Sequence, residues 1–424
     1  MTTAEGTPRA RRSLFAGGKS ATKIRRGTNL LVYYLSGIIP RSKNRVVFGA
    51  WHGHRYSDNP RYLYEHVRKE RFDLDLVWCG REMVRQFVPT GTNARFVRRG
   101  SIRAIWDLLR AGTIFVSHGY EDLFPYNLGC RATLVYLGHG LAIKNMGVPD
   151  TKPAPRNRLA ALGRRIRRAP TGYSYYIVSS PTHKEKHLVE YAAQNCRDDN
   201  TLMLGQPRCD VFTNAGSRHV AESARSVYAR RFGLSAGKRV VTYMPTFRDG
   251  SDGLFSFTDL PADQAEHLQS ILDRHDAVLV QRSHFVDGVL RAKQSNGSAR
   301  SVVDLSSASS VDSIELLLIS DLLITDYSGS FVDYLLLDRP ILHFVYDYDE
   351  YVSTDRGLYF DLEEIAGGPL LRGVIDLLEA LDHHLSNPVL GADRRARVRN
   401  VLLACEHGGS CRAVAERLIP ARSR

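Results

Sequence analysis

A histidine between two glycines is a residue of this chain that could carry chemistry. Gly138 and Gly140 flank His139 directly after the apolar run Thr133–Leu137, so the imidazole has no bulky neighbours in sequence. Imidazole is the side chain best matched to accept a proton from a hydroxyl near pH 7. The motif favours a general base, and the open alternative is a turn histidine whose glycines serve only the backbone.

A second pair of candidates follows the apolar run Ala277–Gln281. Arg282 and His284 are two residues apart, so at a strand end both side chains can face the same side. A guanidinium fork and an imidazole suit a phosphate or pyrophosphate. The alternative is a solvated strand end with no ligand.

The stretch Leu322–Phe331 offers a third type of chemistry. Leu322–Thr325 predicts a buried strand, and a helix is expected from Phe331 onward. Between them lie Asp326 and three small residues, Ser328, Gly329 and Ser330. Free backbone N–H groups and hydroxyls at a helix start bind anionic phosphate well. An ordinary serine-capped helix is the alternative.

Several further loops bring polar side chains to predicted strand ends. Pro245, Thr246 and Arg248 follow one strand, and the segment 51–59 contains two histidines two residues apart. That histidine pair could hold a metal, but a loop closing onto a cleft is favoured. The other loop candidates are Ser57, Asp58, Asn59, Lys144, Arg208, Asp210, Arg356 and Asp361. The chain contains no phosphate-binding P-loop, G-x-G-x-x-G, G-x-S-x-G or H-E-x-x-H motif, which leaves ATPase, NAD enzyme, hydrolase and zincin functions without support.

The elements that must position these residues alternate between short apolar strands and helices. The predicted strands are Val46–Gly49, Leu74–Cys79, Thr113–Ser117, Thr133–Leu137, Tyr175–Ser179, Thr201–Leu204, Arg239–Met244, Ala277–Gln281, Ser301–Leu305, Leu322–Thr325 and Pro340–Phe344. The predicted helices include Asn59–Arg68, Ile102–Ala111 and Ala262–His275. Continuous apolar strands that alternate with helices predict parallel sheets covered on both faces. We expect an α/β protein with two doubly wound domains facing a central cleft, and ligands at the carboxyl ends of the strands.

The length, composition and charge of the chain indicate its domain organisation. The chain has 424 residues, 43% hydrophobic and 24% charged, which is enough for two domain cores. Its net charge of +13 is concentrated in residues 1–45 and in residues 155–168, which carry +9 and +6. We expect a basic, membrane-proximal segment at 1–44 with residues 1–28 mobile, a first domain at 45–204 and a second at 205–424.

Membrane contact is predicted at the surface of a bilayer. The longest apolar run has ten residues, below the ~20 that a spanning helix needs, and residues 40–45 after it lack the small residues of a cleavage site. In residues 155–168, Leu159, Leu162 and Ile166 have helical spacing among six arginines, including Arg164, Arg165, Arg167 and Arg168. A basic amphipathic helix suits an anionic bilayer, and a solvated basic helix is the alternative. The six cysteines are scattered, which favours reduced thiols in a cytoplasmic protein over zinc.

The motifs together resemble the CDP-glycerol glycerophosphotransferase family of teichoic-acid and capsule polymer synthesis. In order, they are Tyr56-Ser-Asp-Asn-Pro60, His139-Gly140, Gly205-x-Pro-Arg-x-Asp210, Pro245-Thr-x-Arg-Asp249, Arg282-x-His284, Thr325-Asp-Tyr-Ser328, Arg356-Gly-x-Tyr-x-x-Asp361 and Gly408-Gly-Ser-x-Arg412. The resemblance extends over residues ~45–415. It implies a GT-B-like architecture of two Rossmann-type domains and transfer of glycerol or ribitol phosphate from a CDP-activated donor, with release of CMP.

The resemblance also assigns roles. It implies that His139 is the general base and that Arg282, His284, Thr325 and Ser328 bind the donor phosphates. We expect no metal or other cofactor, a lipid-linked or polymer acceptor, no nucleic acid partner, and a peripheral position on the cytoplasmic face of the plasma membrane. The chain departs from the usual family pattern with Leu141 and Ala142 after the histidine motif, with Gly329 after Ser328 and with Phe285 after His284. These departures leave the polyol and the acceptor open.

Two other functions stay open from the sequence. A glycosyltransferase that uses a nucleotide sugar would share the fold, because fold alone does not fix function. A non-enzymatic module that binds anionic lipid or nucleic acid would explain the charge. Against nucleic acid, the basic residues are not interleaved with stacking aromatics.

Overall fold

The computed structural model describes most of the chain. Described are residues 19–141, 143, 162–163, 166–214, 227, 230, 232–234, 237–246, 255–282, 301–305, 312–349, 351 and 358–421. These residues form two parallel sheets, one in each half of the chain, with helices packed against them. The predicted pair of doubly wound α/β domains facing a cleft is confirmed.

The sheet of the first domain has seven strands among the described residues, in the order β3-β2-β1-β4-β5-β6-β7. The strands are β1 Ser42–Gly49, β2 Asp75–Gly80, β3 Ala94–Arg98, β4 Ala111–Val116, β5 Thr133–Tyr136, β6 Tyr175–Val178 and β7 Thr201–Met203. The order reverses beside β1, and all pairs are parallel. Loops that leave the carboxyl ends of β1, β4 and β5 therefore converge at one edge.

The sheet of the second domain has six strands in the described part of the chain, in the order β10-β9-β8-β11-β12-β13. The strands are β8 Arg239–Tyr243, β9 Ala277–Gln281, β10 Val302–Asp304, β11 Leu322–Thr325, β12 Ile341–Phe344 and β13 Leu370–Leu371. Here the order reverses beside β8. The carboxyl ends of β8, β9 and β11 carry three of the motifs found in the sequence.

Helices cover both sheets. They are α1 Lys19–Ser36, α2 Asp58–Glu70, α3 Ile102–Arg110, α4 Pro181–Glu190, α5 Asp210–Asn214, α6 Ala262–Arg274, α7 Ser313–Ile319, α8 Ser330–Tyr334, α9 Leu362–Ile365, α10 Val374–Ser386, α11 Ala392–Leu402 and α12 Ser410–Leu418. The central strands β4, β9 and β11 are buried along most or all of their length, which is why they appear as continuous apolar runs in the sequence.

The last helix returns to the first domain. Cys411, Val414 and Leu418 of α12 are buried in the core that β1 and α2 build. Asp210 holds the start of this helix, because its two carboxylate oxygens accept hydrogen bonds from the backbone N–H groups of Ser410 (2.7 Å) and Cys411 (2.8 Å). The end of the chain therefore ties the two domains together.

Of the segment 1–28 that was expected to be mobile, residues 1–18 lie outside the described part of the chain, and residues 19–28 are helical. They form the first part of α1, and Asn29 of this helix anchors it to the domain by accepting a hydrogen bond from the N–H of Asn127 (2.8 Å). Strands β3 and β13 were not predicted, because β13 has only two residues and β3 is a short edge strand that contains two arginines. Within the described residues, no helix is both long and apolar enough to cross a bilayer.

Candidate active site between the two domains

His139 lies in the loop that leaves β5, between two glycines with left-handed backbone angles. Gly138 has φ +69° and Gly140 has φ +110°. A Cβ atom on Gly140 would stand 2.1 Å from the guanidinium of Arg208, so position 140 has no space for a side chain. The two glycines therefore hold a tight turn that presents the histidine beside a buried arginine.

Asn59 fixes the position of this turn. Its side-chain amide donates to the carbonyl oxygens of Leu137 (3.1 Å) and Gly138 (3.0 Å), and to the side-chain oxygen of Gln206 (3.0 Å). The side-chain carbonyl oxygen of Asn59 accepts a hydrogen bond from the backbone N–H of Arg208 (3.0 Å). Asn59 is fully buried, so one side chain joins three of the motifs recognised in the sequence.

A second histidine stacks on the first. The rings of His118 and His139 lie 4.1 Å apart with 8° between their planes, and the ring of Trp51 lies 4.4 Å from that of His118. The buried carboxylate of Asp122 holds the loop, because it accepts hydrogen bonds from the backbone N–H groups of His52 (2.7 Å) and His118 (2.9 Å). The stack is therefore held by ring contacts and backbone hydrogen bonds within the first domain.

The electrostatics of the stack favour neutral imidazoles. Burial lowers the pKa of His139 to about 3, with a further lowering by His118 and Arg208, against which Asp58 acts. Burial likewise lowers the pKa of His118 to about 3, helped by His52. A general base must be unprotonated before it acts, and His139 meets this condition throughout the neutral pH range.

Arg208 bridges the two domains at the floor of the cleft. Its guanidinium binds Asp58 at the start of α2 (2.8 Å) and Asp333 in α8 (2.8 Å). Burial lowers the pKa of Arg208, but Asp333 and Asp58 outweigh it, so the net shift is upward. Asp58 has φ +65°, an unusual angle for a residue other than glycine. This strained turn places the aspartate under the guanidinium.

Arg61 makes a second link across the cleft. Its guanidinium binds Asp312 and Glu315 of the second domain, each at 2.8 Å. The two carboxylates are almost fully buried. The floor of the cleft is therefore a set of matched charges from both domains.

The loop after β11 is built around Asp326. One oxygen of this buried carboxylate accepts from the N–H (2.7 Å) and hydroxyl (2.6 Å) of Thr246 and from the N–H of Ser328 (3.1 Å). Thr325 donates its hydroxyl to the carbonyl oxygen of Met244 (2.8 Å). The motifs Pro245-Thr246 and Thr325-Ser328 are therefore one structural unit.

This arrangement modifies two of the expected roles. Thr325 and Asp326 are fully buried, so they brace the loop from behind, and the partly exposed residues are Ser328, Gly329 and Ser330. The helix begins at Ser330, one residue before the prediction, and α8 has only five residues. Since so short a helix has a small dipole, phosphate binding here would depend on hydroxyls, loop N–H groups and nearby cations.

Arg282 is the nearest candidate cation at the carboxyl end of β9. It is 8% exposed, and its Nη1 atom has no hydrogen-bond partner among the described residues. Burial lowers its pKa to about 10, the positive charge of Arg55 from the first domain adds to this effect, and the carboxylates of Asp312 and Glu315 act against it. Arg282 is therefore a buried and charged guanidinium with unused donor capacity at the expected site.

The base loop and the phosphate loop are in contact. A Cβ atom on Gly329 would stand 2.8 Å from the carbonyl oxygen of Leu141, which is too close for any side chain without movement of the backbone. Leu141 and Gly329 are two of the positions at which the chain departs from the usual family pattern. The two departures thus face each other across the cleft.

The remaining predicted residues divide into three groups. Asp210 caps α12, Asp361 caps α9 by accepting from the N–H of Glu363 (3.0 Å), and Ser57 is buried directly before α2. Arg167 and Arg168 lie in a short helical segment on the outside of the first domain. The predicted residues outside the described part of the chain are Lys144, Arg164, Arg165, Arg248, His284 and Arg356.

A helix with a buried polar face, α4, lies behind His139 and was not predicted from the sequence. His183, Lys186, His187 and Glu190 of α4 are all buried, and Lys186 and Glu190 form an ion pair. In the sequence this segment is typical of a solvent-exposed helix. The spacing of three and four residues was the available signal, because it places all four side chains on one helical face. Arg55 and His118 were not predicted either, because each stands alone in an ordinary loop.

Comparison with known proteins places this site in context. Residues 31–419 match a family model described as CDP-Glycerol:Poly(glycerophosphate) glycerophosphotransferase. A teichoic acid poly(glycerol phosphate) polymerase of Bacillus spizizenii is 27% identical over 362 residues, which are 83% of this chain and 86% of the relative. A teichoic acid glycerol-phosphate transferase of Staphylococcus aureus is 28% identical over 80% of this chain and 84% of the relative.

Other relatives differ in length or in the polyol that their names give. A teichoic acid ribitol-phosphate primase of Bacillus spizizenii is 26% identical over 82% of this chain and 84% of the relative. Against the poly(glycerol phosphate) polymerases of Staphylococcus epidermidis and Bacillus subtilis, the match spans only 43% and 48% of the relative. Among solved structures, the wall teichoic acid polymerase TagF superimposes with a TM-score of 0.72 over 94% of both chains at 22% identity. The GT-B-like fold expected from the sequence is thereby confirmed.

Proposed function

The chain belongs to the CDP-glycerol:poly(glycerophosphate) glycerophosphotransferase family, and we propose that it transfers glycerol or ribitol phosphate from a CDP-activated donor to a hydroxyl of an acceptor. The observation that carries this proposal is the direct contact between the base loop of His139 and the phosphate loop of Ser328. A base on one domain and anion-binding groups on the other are the two parts that phosphoryl transfer to a hydroxyl requires.

The first domain supplies the proton acceptor. His139 takes the proton of the acceptor hydroxyl, and the oxygen attacks the β-phosphorus of the donor in line. A bond forms between this oxygen and the β-phosphorus, and the bond from the β-phosphorus to the bridging oxygen breaks. CMP leaves with the electron pair, and the proton stays on His139. The buried stack with His118 holds the imidazole neutral and in place for this step.

The second domain supplies the positive charge and the hydroxyls that bind the donor phosphates. Arg282 and the hydroxyls of Ser328 and Ser330 lie at the carboxyl ends of β9 and β11, where a doubly wound domain binds its ligand. In phosphoryl transfer, the protein contributes mainly position and neutralisation of the charge that develops on the leaving group. We propose that Arg282 performs this neutralisation and that the reaction needs no metal, so that turnover should persist in EDTA.

The test of the proposal is CMP release by the purified chain. CDP-glycerol, CDP-ribitol and a UDP-sugar are each supplied with and without a polyol-phosphate or lipid-linked acceptor. Acceptor-dependent CMP release from a CDP-polyol is expected, and the preferred donor identifies the polyol. Release of UMP or UDP from the sugar donor, with no CMP from either CDP-polyol, would replace the proposal with a glycosyltransferase.

We also propose that the enzyme works at an anionic membrane surface, in line with a lipid-linked acceptor. The exposed apolar side chains of α1 are Ile24, Leu31 and Leu35, which are between 52% and 70% exposed. Exposed Leu162 and Ile166 belong to a second segment, which touches α1 through a hydrogen bond from the hydroxyl of Tyr34 to the carbonyl oxygen of Ile166 (3.2 Å). Apolar side chains with flanking arginines on adjacent segments are typical of interfacial helices.

Liposome flotation tests this surface. The wild-type chain should float with vesicles that contain anionic phosphatidylglycerol and stay unbound to neutral vesicles at the same ionic strength. Each arginine near an anionic surface contributes ~1 kcal/mol, so a double change Arg167→Gln/Arg168→Gln should weaken binding about 30-fold. The matched control is Arg274→Gln in the second domain, which should bind as wild type does. Equal binding of all three proteins would contradict the assignment.

A further inference from the structure

A small cavity lies directly behind His139, between the base loop and α4. Its volume is about 10 Å³, which is room for about one water-sized group. The lining residues are Tyr136, His139, Gly140, Leu141, Lys186, His187, Glu190 and Tyr191. The cavity therefore connects the proposed base with the buried polar face of α4.

Hydrogen-bonding atoms that line this cavity are unused. His187 is 5% exposed, and neither of its ring nitrogens has a hydrogen-bond partner in the described part of the chain. The Nδ1 atom of His139 is likewise buried and without a partner among those residues. Buried polar atoms of folded proteins are almost always paired, so three unpaired nitrogens around one cavity indicate a site that a polar group fills.

The chemistry of the lining selects a neutral group. Lys186 and Glu190 pair with each other, so their charges cancel. Burial lowers the pKa of His187 to about 3, with Lys186 adding to this effect, so its imidazole is neutral at pH 7. A phosphate would need uncompensated positive charge and more space. A hydroxyl has the size of a water molecule and can both donate and accept a hydrogen bond.

We propose that this cavity is the subsite for the attacking hydroxyl of the polyol acceptor, held between His139 and His187. The proposal rests on the proposed function and deepens it, because it assigns the acceptor side of the reaction to α4. His187 accepts or donates a hydrogen bond to the hydroxyl, while Nδ1 of His139 faces the same oxygen and takes its proton.

The position of the cavity is consistent with attack of its hydroxyl on the donor. Leu141 lines the cavity, and its carbonyl oxygen is the atom that approaches Gly329 of the phosphate loop. Leu141 therefore belongs both to the wall of the cavity and to the contact with the loop proposed to hold the donor. Since Nδ1 of His139 has no partner among the described residues, it is left for the substrate.

Substitutions of His187 test the subsite. His187→Phe keeps a ring but removes both nitrogens, while His187→Asn and His187→Gln place an amide near the positions of Nδ1 and Nε2. His383→Asn, an exposed histidine of α10, is the matched control. For each protein, kcat/KM for the acceptor is measured by CMP release, the affinity for CDP by calorimetry, and folding by thermal unfolding.

The phenylalanine variant should lose about tenfold or more in kcat/KM for the acceptor, because it removes a hydrogen bond to the hydroxyl and leaves a buried polar group unpaired. Its affinity for CDP should stay within about twofold of wild type. One of the two amide variants should recover part of the loss, and the control should match wild type. Acceptor kcat/KM within twofold of wild type in all three folded His187 variants would overturn the subsite.

Direct binding of free polyols keeps this test separate from the proposed function. Saturation-transfer NMR with glycerol and with ribitol reports contact with the full chain even if no transfer is detected. Loss of the glycerol or ribitol signal in His187→Phe, with the signal intact in His383→Asn, supports the subsite. An unchanged signal in His187→Phe contradicts it. Absence of CMP release by the wild-type chain with every acceptor would instead count against the proposed function.

Discussion

Two buried arginines face the same cleft and are used in opposite ways. Arg208 at the floor binds one aspartate from each domain, and these carboxylates hold its pKa above the ordinary value. Arg282 on the wall of the second domain has an unused Nη1 atom, judged against the described residues, and burial together with Arg55 lowers its pKa. Residue type and burial are the same, and only the partners differ.

This difference in partners distinguishes an arginine that stabilises the fold from one that is available to a ligand. A buried charge with matched carboxylates fixes the geometry and has little capacity left for a ligand. A buried charge whose hydrogen-bond donors are incompletely paired is costly to the folded state, and it can persist where a ligand completes the pairing. The floor of the cleft therefore links the two domains, and we propose that Arg282 on the wall is available to an anion. Changing either arginine should reveal which role it has.

Removal of Arg208 should have the largest effect on stability. Arg208→Ala leaves the buried carboxylates of Asp58 and Asp333 without their cation, and breaking such a pair costs about 3–5 kcal/mol. Urea denaturation of the full chain measures the loss of unfolding free energy. Arg85→Ala is the control, because Arg85 pairs with Glu82 on the exposed surface, where an ion pair contributes little to stability. A loss for Arg208→Ala no greater than for the control would show that the floor is not a structural link.

Removal of Arg282 should have a smaller effect, and on a different quantity. Arg282→Gln removes a charged donor, and a hydrogen bond to a charged group contributes about 1.5–3 kcal/mol, so the affinity for CDP should fall about 10- to 150-fold. Unfolding free energy should stay equal or rise, since an incompletely paired charge is no longer buried. Calorimetric titration with CDP measures the change, and Arg274→Gln on the far side of the domain is the control. Unaltered CDP affinity together with lower stability would place Arg282 in the same class as Arg208.

The pH dependence should show the smallest effect. With the pKa of His139 lowered to about 3, the free enzyme holds a neutral base at pH 6 and at pH 8. An ordinary imidazole with a pKa of about 6.5 would be only about one quarter neutral at pH 6, and kcat/KM would fall about fourfold. We expect kcat/KM to stay within about twofold from pH 8 to pH 6. A midpoint near pH 6.5 in an enzyme that remains folded would contradict the lowered pKa.

The same histidines make the fold sensitive to acid. Burial lowers the pKa values of His118, His139, His183 and His187 in the folded chain. The unfolded chain binds protons at these residues below pH ~6.5, whereas the folded chain binds them at His118, His139 and His187 only near pH 3, and at His183 only at a lower pH than the unfolded chain does. Stability present above pH ~6.5 should therefore be lost progressively as the pH falls towards 3.

The sequence predicted the fold well because its signals were local and repeated. The strands Ala277–Gln281 and Leu322–Thr325 were predicted with their observed bounds, since both are continuous apolar runs between charged or small residues. The position of His139 at a strand end followed from the same pattern. Edge strand β3 has five residues, of which Arg95 and Arg98 are charged, so it did not stand out as an apolar run.

The partners of the site residues could not be predicted. Asn59, Arg208 and Asp333 are separated by more than a hundred residues, and only the folded chain shows that they meet. The buried face of α4 was hidden for another reason. Its histidines, lysine and glutamate are polar, and composition indicates exposure unless the neighbours are known. Contact between Leu141 and Gly329 likewise requires the arrangement of both domains.

The central claim is that the first domain supplies the base and the second binds the donor. It is tested most directly by measuring turnover and CDP affinity together in His139→Ala. Loss of a general base typically lowers the rate ~10²–10⁴-fold, so acceptor-dependent CMP release should fall that far while the affinity for CDP stays near that of wild type. Near-normal turnover in this variant would remove His139 from the mechanism. Loss of CDP affinity in step with turnover would contradict the division of labour between the two domains.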